Sequence, residues 1–247
     1  MPMKILVCIS AVPDTTSKIS LSSNNFVNLD GLTLISGPYE DYALSRAIEI
    51  KEADPNNIEI VIFHVGLDSS EPIIRKCLAL GADSAVRVNT KANDSFQVAQ
   101  EIASFVKENS VDLILMGKES IDYNTGLVHQ YTASLLGWNH FSPVMNLDIS
   151  NNSTCNIKVE SSVGTVQLSS DLPLVLGCQE PIAEWKIPSM RGIMAARAKN
   201  IVLREPQFGF GLAYINDEVN DQQRKGQMFQ RENLNELIEI IKKEVRA

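Results

Sequence analysis

No two cysteines stand close together in this 247-residue chain; the four are Cys8, Cys77, Cys155 and Cys178. Without a CxxC pair there is no spacing for a zinc ribbon or a thioredoxin-type site. Cys8 and Cys77 lie in apolar runs and are expected to be buried thiols. No GxxxxGK[ST] segment occurs, which excludes a Walker A phosphate loop. No GxGxxG follows the first apolar run, which disfavours an ordinary dinucleotide site. HExxH and GxSxG are missing as well. The three histidines, His64, His129 and His140, are scattered. Neither a metal cluster nor a catalytic pairing is therefore expected. Basic residues are in deficit, 22 against 30 acidic, for a net charge of −8. That balance argues against general binding to nucleic acid or to anionic membranes. The apolar run at 5–12 is too short to cross a bilayer, and no other run comes closer. It ends in Ala11-Val12-Pro13-Asp14, a poor signal-peptide cleavage site. The expectation is a cytoplasmic chain with no membrane insertion.

What the chain does have is 44% apolar residues, ample for a full core at this length. The first half alternates strand and helix signals. Residues 4–9 form an apolar strand, and 22–37 a long polar loop or weak hairpin. Pro38 opens a helix, YEDYALSRAIEIKE, with apolar residues at helical spacing. Residues 58–65 (IEIVIFHV) are a β-branched strand, with His64 near its end as a hydrogen-bonded structural residue. A helix from Ser70 stops at Gly81. A strand at 85–88, a helix capped by Asp94 or Ser95, a strand at 112–116 and a helix at 125–136 follow. The order predicts an α/β fold: a Rossmann-like three-layer sandwich with a mostly parallel sheet. In the second half, 155–170 alternates around Val163-Gly164 as a hairpin extension, and 172–177 is a strand. Residues 179–204 form an irregular arm. A polar linker covers about 214–229, and an amphipathic helix closes the chain at 233–245.

Ligands of such sheets bind at the C-terminal ends of the strands. Those tips are 10–14, 64–68 and 117–125. The segment 117–138, GKESIDYNTGLVHQYTASLLGW, runs from a buried strand through a polar loop into a helix. Two readings are open. Backbone N–H groups at the helix start can hold a phosphate, with Asn124 and Thr125 adding side-chain contacts. Alternatively, Asn124 or Thr125 simply caps the helix. The segment 186–204 carries Lys186, Arg191, Arg197, Lys199 and Arg204 and no acid. It is either an adaptable docking surface, which Met and Arg suit, or a solvated loop folded on the core.

Five segments in order resemble the electron transfer flavoprotein (ETF) β-subunit family, across essentially the whole chain. KILVCISAVPD is similar to its opening K-x-L-V-x-x-K-x-V-x-D. SGPYEDYALSRAIEIKE is similar to N-P-x-[DE]-x-x-A-[LV]-E-x-A-L-x-L-K-E. CLALGADSAVRV resembles A-L-A-M-G-A-D-x-x-x-x-V, and VDLILMGKESID…LLGW resembles D-L-V-L-x-G-[KR]-Q-[AS]-I-D…LLGW. QEPIAEWKIPSMRGIMAARAKNI resembles the region around P-x-I-M-x-A-x-x-K-x-I.

The resemblance implies an electron carrier subunit and no enzyme on its own. It implies a heterodimer with an ETF α subunit that mainly holds a redox-active FAD at the interface, and a structural AMP buried in this chain. Acyl-CoA dehydrogenases of fatty acid oxidation would deliver electrons, and an ETF-quinone oxidoreductase or similar acceptor would take them. Residues 1–204 would be the nucleotide-binding domain, and 205–247 a linker and helix that pack on the partner subunit. By position, the AMP pocket would comprise Cys8, Gly37, Pro38, Tyr39, Glu40, Val65 and Gly66. It would continue through Ser120, Asp122, Tyr123, Asn124, Thr125 and Gly126, then Leu127, Val128, His129, Gln130 and Tyr131. Thr15 and Tyr39 would approach the partner's flavin. The donor-docking loop would span 184–194, with Trp185, Ile187, Met190, Arg191, Ile193 and Met194.

Four departures from the family pattern stand out. Ser10 replaces its Lys, Gly37 its Asn, and Met190-Arg191 its Leu-Pro. Its N-Q-T-G-Q becomes 126–130 (GLVHQ), where backbone donors survive and His129 adds a ring nitrogen. Thr125 occurs in some electron-bifurcating members, in which a second FAD replaces AMP. That alternative stays open, as do an empty site and a stand-alone adenine-nucleotide-binding regulator.

Overall fold

A computed structural model describes residues 2–23, 27–91, 94–150, 153–209 and 228–245. β1 (Met3–Ile9) buries every position except Lys4, as a strand covered on both faces must. Short strands follow: β2 (Ala11–Pro13), β3 (Ser20–Leu21), β4 (Val27–Asn28) and β5 (Leu34–Ser36). β2 pairs with β5 and β3 with β4, both antiparallel, so the polar stretch 22–37 holds more strand than its composition suggests. Next come α1 (Pro38–Ala53), β6 (Ile58–Val65), α2 (Glu71–Leu80), β7 (Ser84–Val88) and α3 (Ser95–Glu108). Asp94 caps α3 through a bond from the Gln97 N–H, 2.7 Å long. β8 (Leu113–Gly117), α4 (Val128–Leu136) and β9 (Asn139–Ser150) complete the first two-thirds.

The remainder contains β10 (Thr154–Ser161), β11 (Gly164–Asp171), β12 (Leu174–Cys178), α5 (Met190–Ala196), β13 (Ile201–Arg204) and α6 (Leu234–Val245). The arm at 179–204 is thus less irregular than its Pro and Gly content predicts, since it holds α5 and β13. Most of the linker expected at 214–229 lies outside the described residues.

The main sheet is nine-stranded, in the order β11-β10-β9-β12-β8-β1-β6-β7-β13. From β9 to β13 all neighbours run parallel; β10 and β11 extend the sheet antiparallel. This is the α/β three-layer sandwich with a mostly parallel sheet. One face packs Ile5, Val7, Ile60, Ile62 and Leu115 against α1 and α2. The other packs Leu6, Phe63 and Ile114 against Ile102, Phe105 and Val106 of α3 and Ala133 of α4. Each fully buried Leu, Ile, Val or Phe among them stabilises the fold by roughly 1.5–3 kcal/mol.

The chain divides into two compact units, Met1–Ile19 with Leu29–Ile215 and Ser20–Asn28 with Asn216–Ala247. The larger unit holds the site. There the chain steps outward from β1 through α1, β6, α2 and β7, then returns through α3 to place β8 on the other flank of β1. The loops leaving β1 and β8 therefore diverge. A crevice opens between them, at the switch point where α/β sheets bind ligands.

Candidate nucleotide site and docking segment

Three glycines ring the tip of β1. A Cβ at Gly37 would overlap the Glu40 carboxylate, and one at Gly66 would overlap the His64 ring. A Cβ at Gly117 would stand 2.8 Å from both Glu40 Oε2 and Tyr39 Cβ. A side chain at any of the three would force Glu40, His64 or Tyr39 to shift from its place. Pro38 sits at the start of α1 and turns Tyr39 and Glu40 into the crevice.

Glu40 is 5% exposed. The Ser10 hydroxyl donates to its Oε1, while Oε2 is buried and has no partner among the described residues. Burial pushes its carboxyl up to about 7; nearby Asp41 and Asp122 add to the shift, and the Ser10 bond opposes it. His64 is 3% exposed. Its Nδ1 lies 2.8 Å from the Ile9 carbonyl, which can only accept, so the ring proton sits on Nδ1. Nε2 is then a bare acceptor, buried without a partner. Burial, aided by the charge of Arg87, holds His64 below its ordinary pKa and therefore neutral. Arg87 itself is buried and donates to the Gly66 carbonyl (3.0 Å) and Asn89 (2.9 Å). Val65 ends β6 facing the α3 side, and Gly66 N–H donates to the Val88 carbonyl at 3.0 Å. Cys8 points to that same side, its thiol pushed up by burial and by Glu40.

The loop after β8 closes the crevice. Lys118 Nζ stands 4.7 Å over the Tyr39 ring and 3.9 Å from Glu119. Ser120 donates to Asp122, which also accepts the Tyr123 N–H at 2.9 Å, and the Asn124 N–H donates to the Ser120 carbonyl. Asn124 and Gly126 both take left-handed backbone, at φ 51° and 60°. A helix cannot pass through such residues, so α4 begins at Val128 and not at 125. Leu127 is its N-cap, with no side-chain bond. Thr125 lies 3.1 Å from Ser95 at the start of α3. Gln130 donates back to the Gly126 carbonyl, and Tyr131 meets Phe96 edge-on at 5.4 Å. These three residues contact the α3–α4 flank. Thr15 is exposed in the turn after β2.

His129 turns inward. Its ring stacks on His140 with centroids 4.7 Å apart. His129 Nε2 lies 2.6 Å from the Lys118 carbonyl, so it is the donor, and His129 Nδ1 accepts from His140 Nε2 at 2.7 Å. Both ring nitrogens of His129 are thus used within the chain, and the relay fixes the Lys118 peptide at the crevice. Protonating both rings would set two N–H groups against each other. Burial lowers both pKa values, that of His140 to about 4. A histidine held below its unfolded pKa gives its full stability above about 6.5, and loses it as pH falls towards the folded value. His140→Phe is therefore expected to make the loss of stability between pH 6.5 and 4 shallower, by up to about one proton. Denaturant melts across that range test this; an unchanged slope would refute it.

The candidate docking segment is anchored at its base and bare along its crest. Trp185 donates to Asp41 at 2.9 Å and lies under Lys76. Lys186 pairs with Glu52 at 2.8 Å. Ser189 caps α5 through the Gly192 N–H at 3.1 Å. Arg75 of α2 donates to the Ala196 and Lys199 carbonyls, and Lys199 donates back to the Leu78 and Ala82 carbonyls. Each helix end is satisfied by a cation from the other side. Ile187 and Met190 are 87% and 75% exposed, with Trp185, Arg191, Ile193 and Met194 exposed or part-exposed beside them.

The residues assembled at the strand tips offer carboxylate and imidazole acceptors, backbone groups and one lysine. Buried polar atoms without partners cost about 1–3 kcal/mol each. A ligand whose polar edge reaches Glu40 Oε2 and His64 Nε2 removes that cost, which fits a base or ribose better than an apolar group. Arg87 and Asp41 were not singled out from the sequence. The signal for Arg87 was a charge in an apolar strand, and for Asp41 a second acid in the first turn of α1. No group of three or more His, Cys, Asp or Glu side chains able to hold a metal occurs among the described residues. No helix among them is long and apolar enough to cross a membrane.

The family described as "Electron transfer flavoprotein domain" matches residues 33–207. The chain is 33% identical over 203 residues to the electron transfer flavoprotein subunit beta of Syntrophomonas wolfei, covering 81% of this chain and 79% of that protein. It is 30% identical over 201 residues to the subunit of the same name from Bacillus subtilis, covering 80% and 77%. It is also similar, at 28% over 206 residues, to the caffeyl-CoA reductase-Etf complex subunit CarD of Acetobacterium woodii, covering 81% and 78%.

Proposed function

The chain belongs to the electron transfer flavoprotein family as a β subunit, and from that premise we propose that it buries AMP in the crevice between β1 and β8. The family is one of electron carriers, its complex contains FAD, and a β subunit works with an α partner. The observation that carries the AMP reading is the pair of buried, unpartnered polar atoms at the switch point, Glu40 Oε2 and His64 Nε2. The glycine cradle around them supports it.

Glu40, His64 and the 120–126 loop would hold the nucleotide, with Gly37 and Gly66 admitting it. Bound only to the folded chain, AMP adds stability by mass action. The FAD at the interface supplies the electron-carrying chemistry, and Tyr39 with Lys118 and exposed Thr15 form this chain's surface towards it. The α5 crest, with Met190 and Met194, and Ile187 just before it enter a pocket on donors of the acyl-CoA dehydrogenase type. An acceptor such as a quinone oxidoreductase takes the electrons on. The exposed apolar residues Leu234, Ile238 and Ile241 of α6 suit packing on the partner subunit. No step here belongs to this chain as an enzyme, and we place it in the cytoplasm.

The test is chemical. The heterodimer is purified from its native cell and denatured, and the released nucleotides are separated and weighed. One FAD and one AMP per heterodimer are expected. Two FAD and no AMP would replace this reading with that of a bifurcating β subunit. FAD alone would refute the buried nucleotide.

A further inference from the structure

The crevice holds a carboxyl group to which no cation is bonded. Glu40 has no ion pair among the described residues; its carboxyl accepts from the hydroxyl of Ser10, with a weaker contribution from its own backbone N–H. The groups facing it do not neutralise it. From β1 comes the Cys8 thiol, which burial keeps un-ionised. From α2 comes Cys77, its thiol pushed up to about 12, and Lys76, which is committed to Asp41 at 3.3 Å. Asp41 on α1 and Asp122 from the loop after β8 add negative charge. Lys118 stands over Tyr39 with Glu119 as its ion-pair partner. The free oxygen, Oε2, is sealed from water and borders Gly117 in the wall of the crevice.

We propose that this crevice binds its anionic nucleotide together with a proton, and that Glu40 Oε2 is where the proton goes. The inference rests on the nucleotide reading above. A phosphate monoester carries close to two negative charges above pH 7. Brought into a poorly solvated crevice beside an ionised carboxyl, it raises the energy of that carboxylate. One proton from solvent converts the carboxylate to the acid; no other bond forms or breaks. The acid also gives the site an O–H donor where the ionised chain offers only acceptors. Burial already keeps this carboxyl near half-protonation at neutral pH, so a ligand needs only to complete the shift.

The test uses AMP titrated calorimetrically into the heterodimer freed of nucleotide, between pH 7 and 9, in two buffers of different ionisation enthalpy. The phosphate itself no longer titrates in that window, its second pKa being about 6. The wild type is expected to take up about half a proton per AMP at pH 7 and close to one by pH 8 to 9, with its Kd rising towards tenfold per pH unit over the same range. Glu40→Gln is expected to bind with a flat profile and no proton uptake. Ser10→Lys, which sets an ammonium beside Glu40, is expected to flatten the profile too, and serves if the first variant does not fold. A flat wild-type profile without proton uptake would overturn this inference and leave the nucleotide reading standing. A wild-type slope retained in Glu40→Gln would overturn it as well. No AMP binding at any pH would overturn the nucleotide reading, and this inference with it.

Discussion

Glu40→Gln is expected to make the nucleotide-free full-length chain more stable than the wild type at pH 8, by about 3 kcal/mol. The carboxyl ordinarily titrates at 4.5 and is pushed up to about 7 in the fold, chiefly by burial. For an acid, a raised folded pKa means that the fold prefers the protonated form. Below pH 4.5 the group is protonated folded or unfolded, and it costs nothing. As pH rises from 4.5 to 7 the unfolded chain gains by ionising while the folded chain resists, so stability falls. A shift of about two and a half units at roughly 1.4 kcal/mol each gives the figure of about 3. Glutamine keeps the carbonyl that accepts from Ser10 and cannot ionise. The two proteins should therefore converge at pH 4 and part steadily to pH 7.5. Denaturant unfolding at pH 4, 6 and 8 measures this. A difference below about 1 kcal/mol at pH 8 would mean that water reaches the carboxyl and solvates it.

The strands at the centre of the sheet were plain in the sequence because both their faces are buried. β1, β6, β8 and β12 are short, nearly continuous apolar runs, the pattern of strands buried on both faces. The sheet edges were harder. β9 (NHFSPVMNLDIS) carries Pro143 and alternates only loosely, with Val144 and Leu147 fully buried and a register shift against β12. Its sequence therefore lacks the clean period of two that marks a half-buried strand. β13 is four residues long on the outer edge, with Val202 and Leu203 exposed. Its order comes from pairing with β7, which no local signal announces.

The candidate site was legible in part for a similar reason. Gly37, Gly66 and the 117–126 loop lie at strand ends, and strand ends follow from the strands. What could not be read was where each side chain spends its hydrogen bonds. His129 lies in a stretch with phosphate-binding character, yet its partner is His140, eleven residues on and in a different element. His64 is structural through Nδ1, as its place at the end of an apolar strand suggested, and unpartnered through Nε2, which only the fold decides. Asp41 joins the two regions that the sequence presents as separate. It accepts from Trp185 at the base of the candidate docking segment and is the neighbour of Glu40 in the crevice.

Gly192→Val is expected to raise the KM for the electron donor at least tenfold while leaving the bound nucleotide in place. α5 can lie on α2 only because residue 192 has no side chain. A Cβ there would run into the backbone carbonyl of Ala79, which cannot rotate away as a side chain would. Valine must therefore lift α5, and overpacking of this kind costs about 1–3 kcal/mol. The reciprocal bonds from Arg75 and Lys199 would stretch with it. Met190 and Met194 would then lose the fixed spacing that a donor pocket needs, and the entropy of ordering them would fall on docking. Met190→Ala separates the two contributions. It leaves α5 seated and removes only the exposed side chain, so its effect should be smaller and confined to donor affinity. Stopped-flow reduction of the complex by an acyl-CoA dehydrogenase, read at the flavin, compares the variants. If both variants matched the wild type, the α5 crest would not be where donors dock. If Gly192→Val lost its nucleotide together with its docking, the two regions would be a single cooperative unit joined at Asp41, and α1 would be the element that carries strain from one to the other.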